Sequence, residues 1–171
     1  MASENINDTD ITLDMVESVE SNLSYPDFSG TYTPKIDEKG RFFVPSKFRE
    51  LLDKDAVCTI THGLDGCLWL YSKPVWAEVS LNLSRLSDTN RDDRFLKRYF
   101  LGGAKECDMD KQGRVLIPPD LREFAKIGGE IQLVGIGNKI EIWASDSWNG
   151  YESNDKFDAE YIAENLDNLK L

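Results

Sequence analysis

No stretch of this sequence approaches the roughly 18 consecutive apolar residues that a membrane-spanning helix requires. Residues 1–27 have neither the basic start nor the apolar run of a secretory signal. Both absences make the cytoplasm the expected compartment and exclude a membrane partner. Cysteine is sparse: Cys58, Cys67 and Cys107 are odd in number and have no framework spacing, so buried, reduced thiols are expected and disulfides are not. Histidine is sparser still, with His62 alone. A zinc site on Cys58, His62 and Cys67 fits no common ligand spacing, and a His–Cys nucleophile pair finds neither a third orienting group nor an oxyanion loop. Gly135-Ile136-Gly137 lacks the third glycine and the following helix of a phosphate loop. No catalytic residue, metal, cofactor or small-molecule substrate is therefore expected, and the chain does not read as an enzyme.

An excess of basic residues is also missing. The formal net charge is −11, which argues against a nucleic-acid partner until its distribution is considered. Residues 1–27 hold seven acidic residues and no Lys or Arg, while residues 151–171 hold six acidic against two basic. The tails contribute −7 and −4, and residues 28–150, with 18 residues of each sign, contribute nothing. A neutral core has no electrostatic footprint of its own. Any DNA surface must come from local clustering of Arg and Lys, multiplied by self-association.

What the sequence does have is an internal repeat. The segment from Ile36 to Glu50, IDEKGRFFVPSKFRE, aligns without gaps on Met109 to Glu123, MDKQGRVLIPPDLRE, at an offset of 73. Asp, Gly, Arg, Pro, Arg and Glu recur in register. At an offset of 72, Gly63 to Tyr71 matches Gly135 to Trp143, and Trp76 falls on Trp148. The chain thus divides into an acidic, disordered extension (1–27), a first module with a helical linker (28–101), a second module (102–150) and an acidic, partly helical tail (151–171). With 171 residues and 40% apolar content, two small modules have enough material for a core.

Within the first module a strand is expected over Gly30–Ile36, then a tight turn at Lys39-Gly40 where glycine takes positive φ, and a short strand at Phe42–Val44. Pro45 suits the first turn of a brief helix that sets Phe48, Leu51 and Leu52 on one face. Ala56–Thr61 and Cys67–Tyr71 flank Asp65-Gly66 as a hairpin, and Ile131–Val134 and Ile140–Trp143 repeat it. Pro74 opens a helix carrying Val75, Val79, Leu83 and Leu86, Asp88–Asn90 interrupts, and Phe95, Leu96, Tyr99 and Phe100 mark a second helix. In the tail, Phe157, Tyr161, Leu166 and Leu169 form a loose amphipathic pattern. Trp69, Trp76, Trp143 and Trp148 follow the repeat, as core packing or a subunit contact does.

These residues resemble the MraZ family, bacterial regulators of the division and cell-wall gene cluster built from two SpoVT/AbrB-like modules. The resemblance spans about Phe28 to Tyr151. It rests on the two Asp-x-x-x-Arg hairpins, on Phe28-Ser29-Gly30, and on the segments Gly63 to Tyr71 and Val134 to Trp143. It implies an α+β fold of tandem duplicated swapped-hairpin modules with short helices, in a pseudo-two-fold protomer. It also implies a homo-oligomeric ring, an octamer or a dodecamer, and a nucleoid-associated repressor that binds double-stranded DNA at short direct repeats in its own promoter. The family's DNA contacts fall on Arg41 and Arg114, with Lys39 and Lys111 beside them. The chain departs from the family pattern in its acidic extension and in Gln112.

The chemistry of these positions suits DNA. In each hairpin Asp37 or Asp110 can accept turn N–H groups across Gly40 or Gly113 and orient the guanidinium of Arg41 or Arg114. A fixed planar fork can meet O6 and N7 of guanine together, whereas Lys39 and Lys111 suit phosphate. The alternative for each Asp–Arg pair is a structural ion pair that only closes the hairpin. Arg49 and Arg122, next to Glu on the short helices, are expected to pair within or between modules instead of touching bases. A ring-forming protein-interaction scaffold is the competing reading, supported by the net charge. A swapped-hairpin antitoxin is a third, disfavoured because such chains carry one module and a toxin-binding tail.

Overall fold

The computed structural model describes residues 26–52, 56–154, 158–164 and 166. The disorder expected of residues 1–27 falls almost wholly outside the described residues, as do Phe157, Leu169 and the side chain of Tyr161. In chain order, β1 (Phe28–Tyr32), β2 (Arg41–Phe43), α1 (Ser46–Leu51), β3 (Val57–His62), β4 (Leu68–Ser72), α2 (Lys73–Ser84) and α3 (Arg91–Gly103) come first. They are followed by β5 (Lys105–Asp108), β6 (Arg114–Leu116), α4 (Pro119–Phe124), β7 (Ile131–Gly137), β8 (Ile140–Ala144), α5 (Ser145–Glu152) and α6 (Ala159–Glu164). The chain is α+β, with antiparallel sheets and short helices.

Six strands form one antiparallel sheet in the order β1-β7-β8-β4-β3-β5, and β2 pairs with β6 in a separate two-stranded ribbon. The two repeats exchange strands. β1 lies beside β7 of the second repeat, Phe28 facing Gly137 and Tyr32 facing Leu133. β5 lies beside β3 of the first, Val57 facing Asp108 and Ile60 facing Lys105. Each repeat's opening strand thus completes the hairpin of the other. The ribbon shows the same relation: Arg41 faces Leu116, Phe42 faces Val115 and Phe43 faces Arg114, so the 73-residue offset maps this ladder onto itself about an axis through Phe42 and Val115.

Strand alternation then decides what is inside. On one face of the large sheet Ile60, Leu68, Leu70, Ile131, Leu133, Ile140 and Ile142 are buried. They join Phe42, Val44, Val115 and Ile117 of the ribbon region and Phe48 and Leu121 of the short helices in a single core. The Phe48 ring meets Phe28 edge-on at 5.4 Å and Tyr32 at 4.9 Å, and burial of such a side chain stabilises by about 1.5–3 kcal/mol. The opposite face carries the tryptophans. Trp69 stacks on Phe100 of α3 at 5.3 Å, Trp143 packs against Trp148 of α5 at 5.6 Å, and both sheet indoles donate to Glu141. Among the described residues these indoles, and Trp76 against Tyr71, make ring contacts within the chain.

Two expectations need correction. The strand placed at Gly30–Ile36 runs instead over Phe28–Tyr32, and Lys35 and Ile36 make only isolated bridges to Glu130 and Phe42. Pro34 explains the break, since it has no N–H to give a ladder. Pro45 precedes its helix instead of entering it: its ψ of 142° is extended, and Ser46 begins α1. Just before Pro45, Val44 N–H is still bonded to Gly113 O at 2.9 Å.

Candidate nucleic-acid interface

The ribbon sends Phe42 and Val115 into the core, so alternation sends Arg41, Phe43, Arg114 and Leu116 outward together. Each arginine leaves a tight turn of its own repeat. The turns close by Gly40 N–H to Asp37 O and Gly113 N–H to Asp110 O, both 2.9 Å, with the glycines at φ +88° and +79°. The turn tips also cross between repeats, because Val44 N–H donates to Gly113 O and Ile117 N–H to Gly40 O, both 2.9 Å.

Within each turn the aspartate does what a carboxylate with two oxygens can do. Asp37 Oδ1 accepts from the backbone N–H groups of Lys39 and Arg41, both at 2.9 Å, while Oδ2 accepts from Arg41 Nε at 2.8 Å. Asp110 treats Gln112 and Arg114 alike, at 2.9, 2.9 and 2.8 Å. The Arg41 and Arg114 backbone N–H groups, first of all, hold these carboxyls below the usual carboxylate range, with the guanidinium adding to the effect. Among the described residues, Nε is the guanidinium nitrogen of each arginine that makes a hydrogen bond. The terminal guanidinium nitrogens have no hydrogen-bond partner among the described residues, and they lie on side chains that are 30% and 21% exposed. The result is a pair of outward, charged forks whose stems are fixed.

Lys39 and Lys111 are both exposed on the turns, but not at equivalent places: Lys111 falls on Glu38, and Lys39 falls on Gln112. Arg49 and Arg122 depart from expectation, for neither makes an ion pair among the described residues. Arg122 instead lies over the Gly40 turn, where an added Cβ would come within 2.6 Å of its guanidinium carbon, and Arg49 lies over Gly113, with its Cδ 2.8 Å from such a Cβ. Each thus crosses to the other repeat's turn. Arg122 Nε is buried there and has no hydrogen-bond partner among the described residues. Phe43 and Leu116, 57% and 44% exposed on the ribbon face, went unremarked in the sequence. Strand alternation around the inward Phe42 and Val115 would have found them.

The other chemistry-bearing residues lie elsewhere. Cys58 faces Cys107 across β3 and β5, and Cys67 Sγ donates to Leu64 O at 3.1 Å. Burial pushes all three thiols up, Cys107 to about 11, which leaves them protonated and unreactive. His62 Nδ1 donates to Tyr99 O at 2.9 Å. Among the described residues no group of His, Cys, Asp and Glu could hold a metal ion, and no helix is long and apolar enough to cross a membrane.

Comparison with known proteins places this architecture. The family model described as "MraZ protein, putative antitoxin-like" matches the chain twice, at residues 28–99 and 100–169, as a tandem duplication requires. A protein of Thermoanaerobacter sp. named transcriptional regulator MraZ is 44% identical over 142 residues, covering 83% of this chain and 98% of that relative. Relatives of the same name from Pelotomaculum thermopropionicum and Desulforamulus reducens are 43% and 42% identical, covering 84% and 83% of the chain and 98% and 99% of their own lengths. The family is one of transcriptional regulators and not of enzymes. With two matches in tandem and relatives aligned almost end to end, the chain belongs to the MraZ family.

Proposed function

We propose that this chain is a sequence-specific DNA-binding repressor whose two repeats, 28–101 and 102–150, are SpoVT/AbrB-like swapped-hairpin modules. The observation that carries the reading is the outer face of the ribbon. Two Asp–Arg hairpins present guanidinium groups on one face, diagonally across the ribbon, each anchored through Nε and open at its terminal nitrogens. An Nε-anchored fork can meet the O6 and N7 acceptors of guanine, a contact that discriminates between bases by about 1–3 kcal/mol. Arg41 and Arg114 read bases, Asp37, Asp110, Gly40 and Gly113 orient them, and Lys39 and Lys111 bind phosphate. The exchange of β1 and β5 between repeats supports the module assignment.

One protomer offers two such forks, too few for tight binding. A homo-oligomeric ring would present them at fixed intervals and bind direct repeats in the promoter of its own gene, within the division and cell-wall cluster, through effective concentration. Such a protein works in the cytoplasm at the nucleoid. The net charge of −11 favours a second reading, a ring-forming protein-interaction scaffold, in which the acidic segments dock partners. The two separate in a gel-shift titration of the purified chain against duplex from upstream of its gene. A regulator retains that duplex over an unrelated one, with affinity falling steeply as salt rises. Equal, negligible retention of both favours the scaffold.

A further inference from the structure

The ribbon's backbone is two-fold symmetric, but its outer face is not. In both hairpins the Asp-to-Arg contact is 2.8 Å and the turn bonds are 2.9 Å, so the frame treats Arg41 and Arg114 alike. The residue opposite each arginine differs. Arg114 faces Phe43, and its guanidinium carbon lies 5.8 Å from the ring centroid, within the range of a cation–π contact. Arg41 faces Leu116, which has no ring to offer. The turns add to the imbalance: Glu38 offsets Lys39 beside Arg41, while Lys111 beside Arg114 has only the neutral Gln112 for company. Both differences favour the Arg114 end.

We infer that Phe43 and Leu116 are specificity-determining residues that give this pseudo-symmetric surface a polarity, so that each protomer reads an asymmetric DNA site in one orientation. The inference rests on the DNA reading above. Phe43 and Leu116, exposed between two guanidinium groups, are placed to meet apolar base-edge groups, of which the thymine methyl is the one the major groove offers. Only Phe43 also restrains its neighbour. A guanidinium held at Nε by a carboxylate and with its carbon over an aromatic ring has fewer orientations to lose on binding, so the base pair under Arg114 is read more strictly than the one under Arg41. A cation–π contact at an exposed site corresponds to about a 2- to 5-fold effect, which sets the size of the difference.

The test is selection of preferred duplexes from a random pool by the full chain and by Phe43→Leu and Leu116→Phe, with circular dichroism to confirm that each variant is folded. Both positions are exposed, so neither change disturbs the core. The wild-type chain should return one strictly specified and one relaxed guanine position. Phe43→Leu should lower the strict position about 2- to 5-fold toward the relaxed one. Leu116→Phe should raise the relaxed position toward the strict one. Equal strictness at both positions in the wild type, or a difference that survives both substitutions, overturns the inference while leaving DNA recognition standing. A wild-type chain that enriches no sequence at all overturns the DNA reading and this inference with it.

Discussion

Replacing Gly40 by alanine separates a general loss of stability from a local disturbance of the Asp37–Arg41 turn, provided that Gly66→Ala is measured beside it. Both glycines have φ near +88°, the left-handed region where a side chain costs about 1–2 kcal/mol. They differ in surroundings: a Cβ at Gly66 meets nothing within 4 Å, whereas one at Gly40 lies 2.6 Å from the Arg122 guanidinium carbon and 2.7 Å from its Nε. What is crowded is the far end of a flexible side chain, so relief is cheap in stability but moves the guanidinium off the turn. The two variants should therefore lose similar stability, about 1–2 kcal/mol, or about 2–4 °C in Tm per kcal/mol for a chain of this size. Only Gly40→Ala should also weaken DNA binding, because its turn carries Asp37 and Arg41. Differential scanning calorimetry and fluorescence anisotropy with a labelled duplex measure the two effects. If Gly66→Ala melted like the wild type, or Gly40→Ala bound DNA unchanged, the reasoning would fail at the strain step or at the positioning step respectively.

Three further outcomes are expected. Asp37 and Asp110 have pKa values below the ordinary 3.8, so their contribution is complete above that value and is lost as pH falls through the lowered one. Binding should not change between pH 5 and pH 8 on their account, as a pH titration by anisotropy would show. Gly135→Ala should cost more than Gly66→Ala, since a Cβ there comes within 2.6 Å of Ser29 N and 2.7 Å of Phe28 C, backbone atoms that cannot swing away; calorimetry and hydrogen exchange along β1 would register the loosened strand. The buried thiols should react with a maleimide only on the timescale of unfolding, whereas labelling of the native chain within minutes would contradict their burial.

The sequence made the repeat legible because its signal is carried by residue identity: Asp, Gly, Arg and Pro recur where a turn needs an acceptor, a positive φ, a fork and a break. The orientation of the Asp–Arg hairpins follows from the same local chemistry. The strand exchange was different. Phe28–Tyr32 alternates well enough to pair with its own hairpin, and nothing within that segment records that its partner is β7, about 100 residues away. Arg49 and Arg122, next to glutamates, are expected from the sequence to pair within or between modules, and each side chain does reach the opposite repeat, but to a glycine turn instead of an acidic partner. That contact exists only once the repeats have folded together. Phe43 and Leu116 could have been assigned outward from alternation alone. Their pairing with Arg114 and Arg41 could not, since it depends on the register of two strands from different repeats.

The central claim, that Arg41 and Arg114 recognise bases, meets its most direct test in the affinities of Arg41→Ala and Arg114→Ala for a specific and an unrelated duplex, with melting temperature and particle size recorded for each variant. The account predicts that each substitution removes a contact that discriminates by about 1–3 kcal/mol, so specific binding falls by at least about 5-fold while non-specific binding changes little. Wild-type affinity for the specific duplex, in variants that melt and assemble normally, would contradict it.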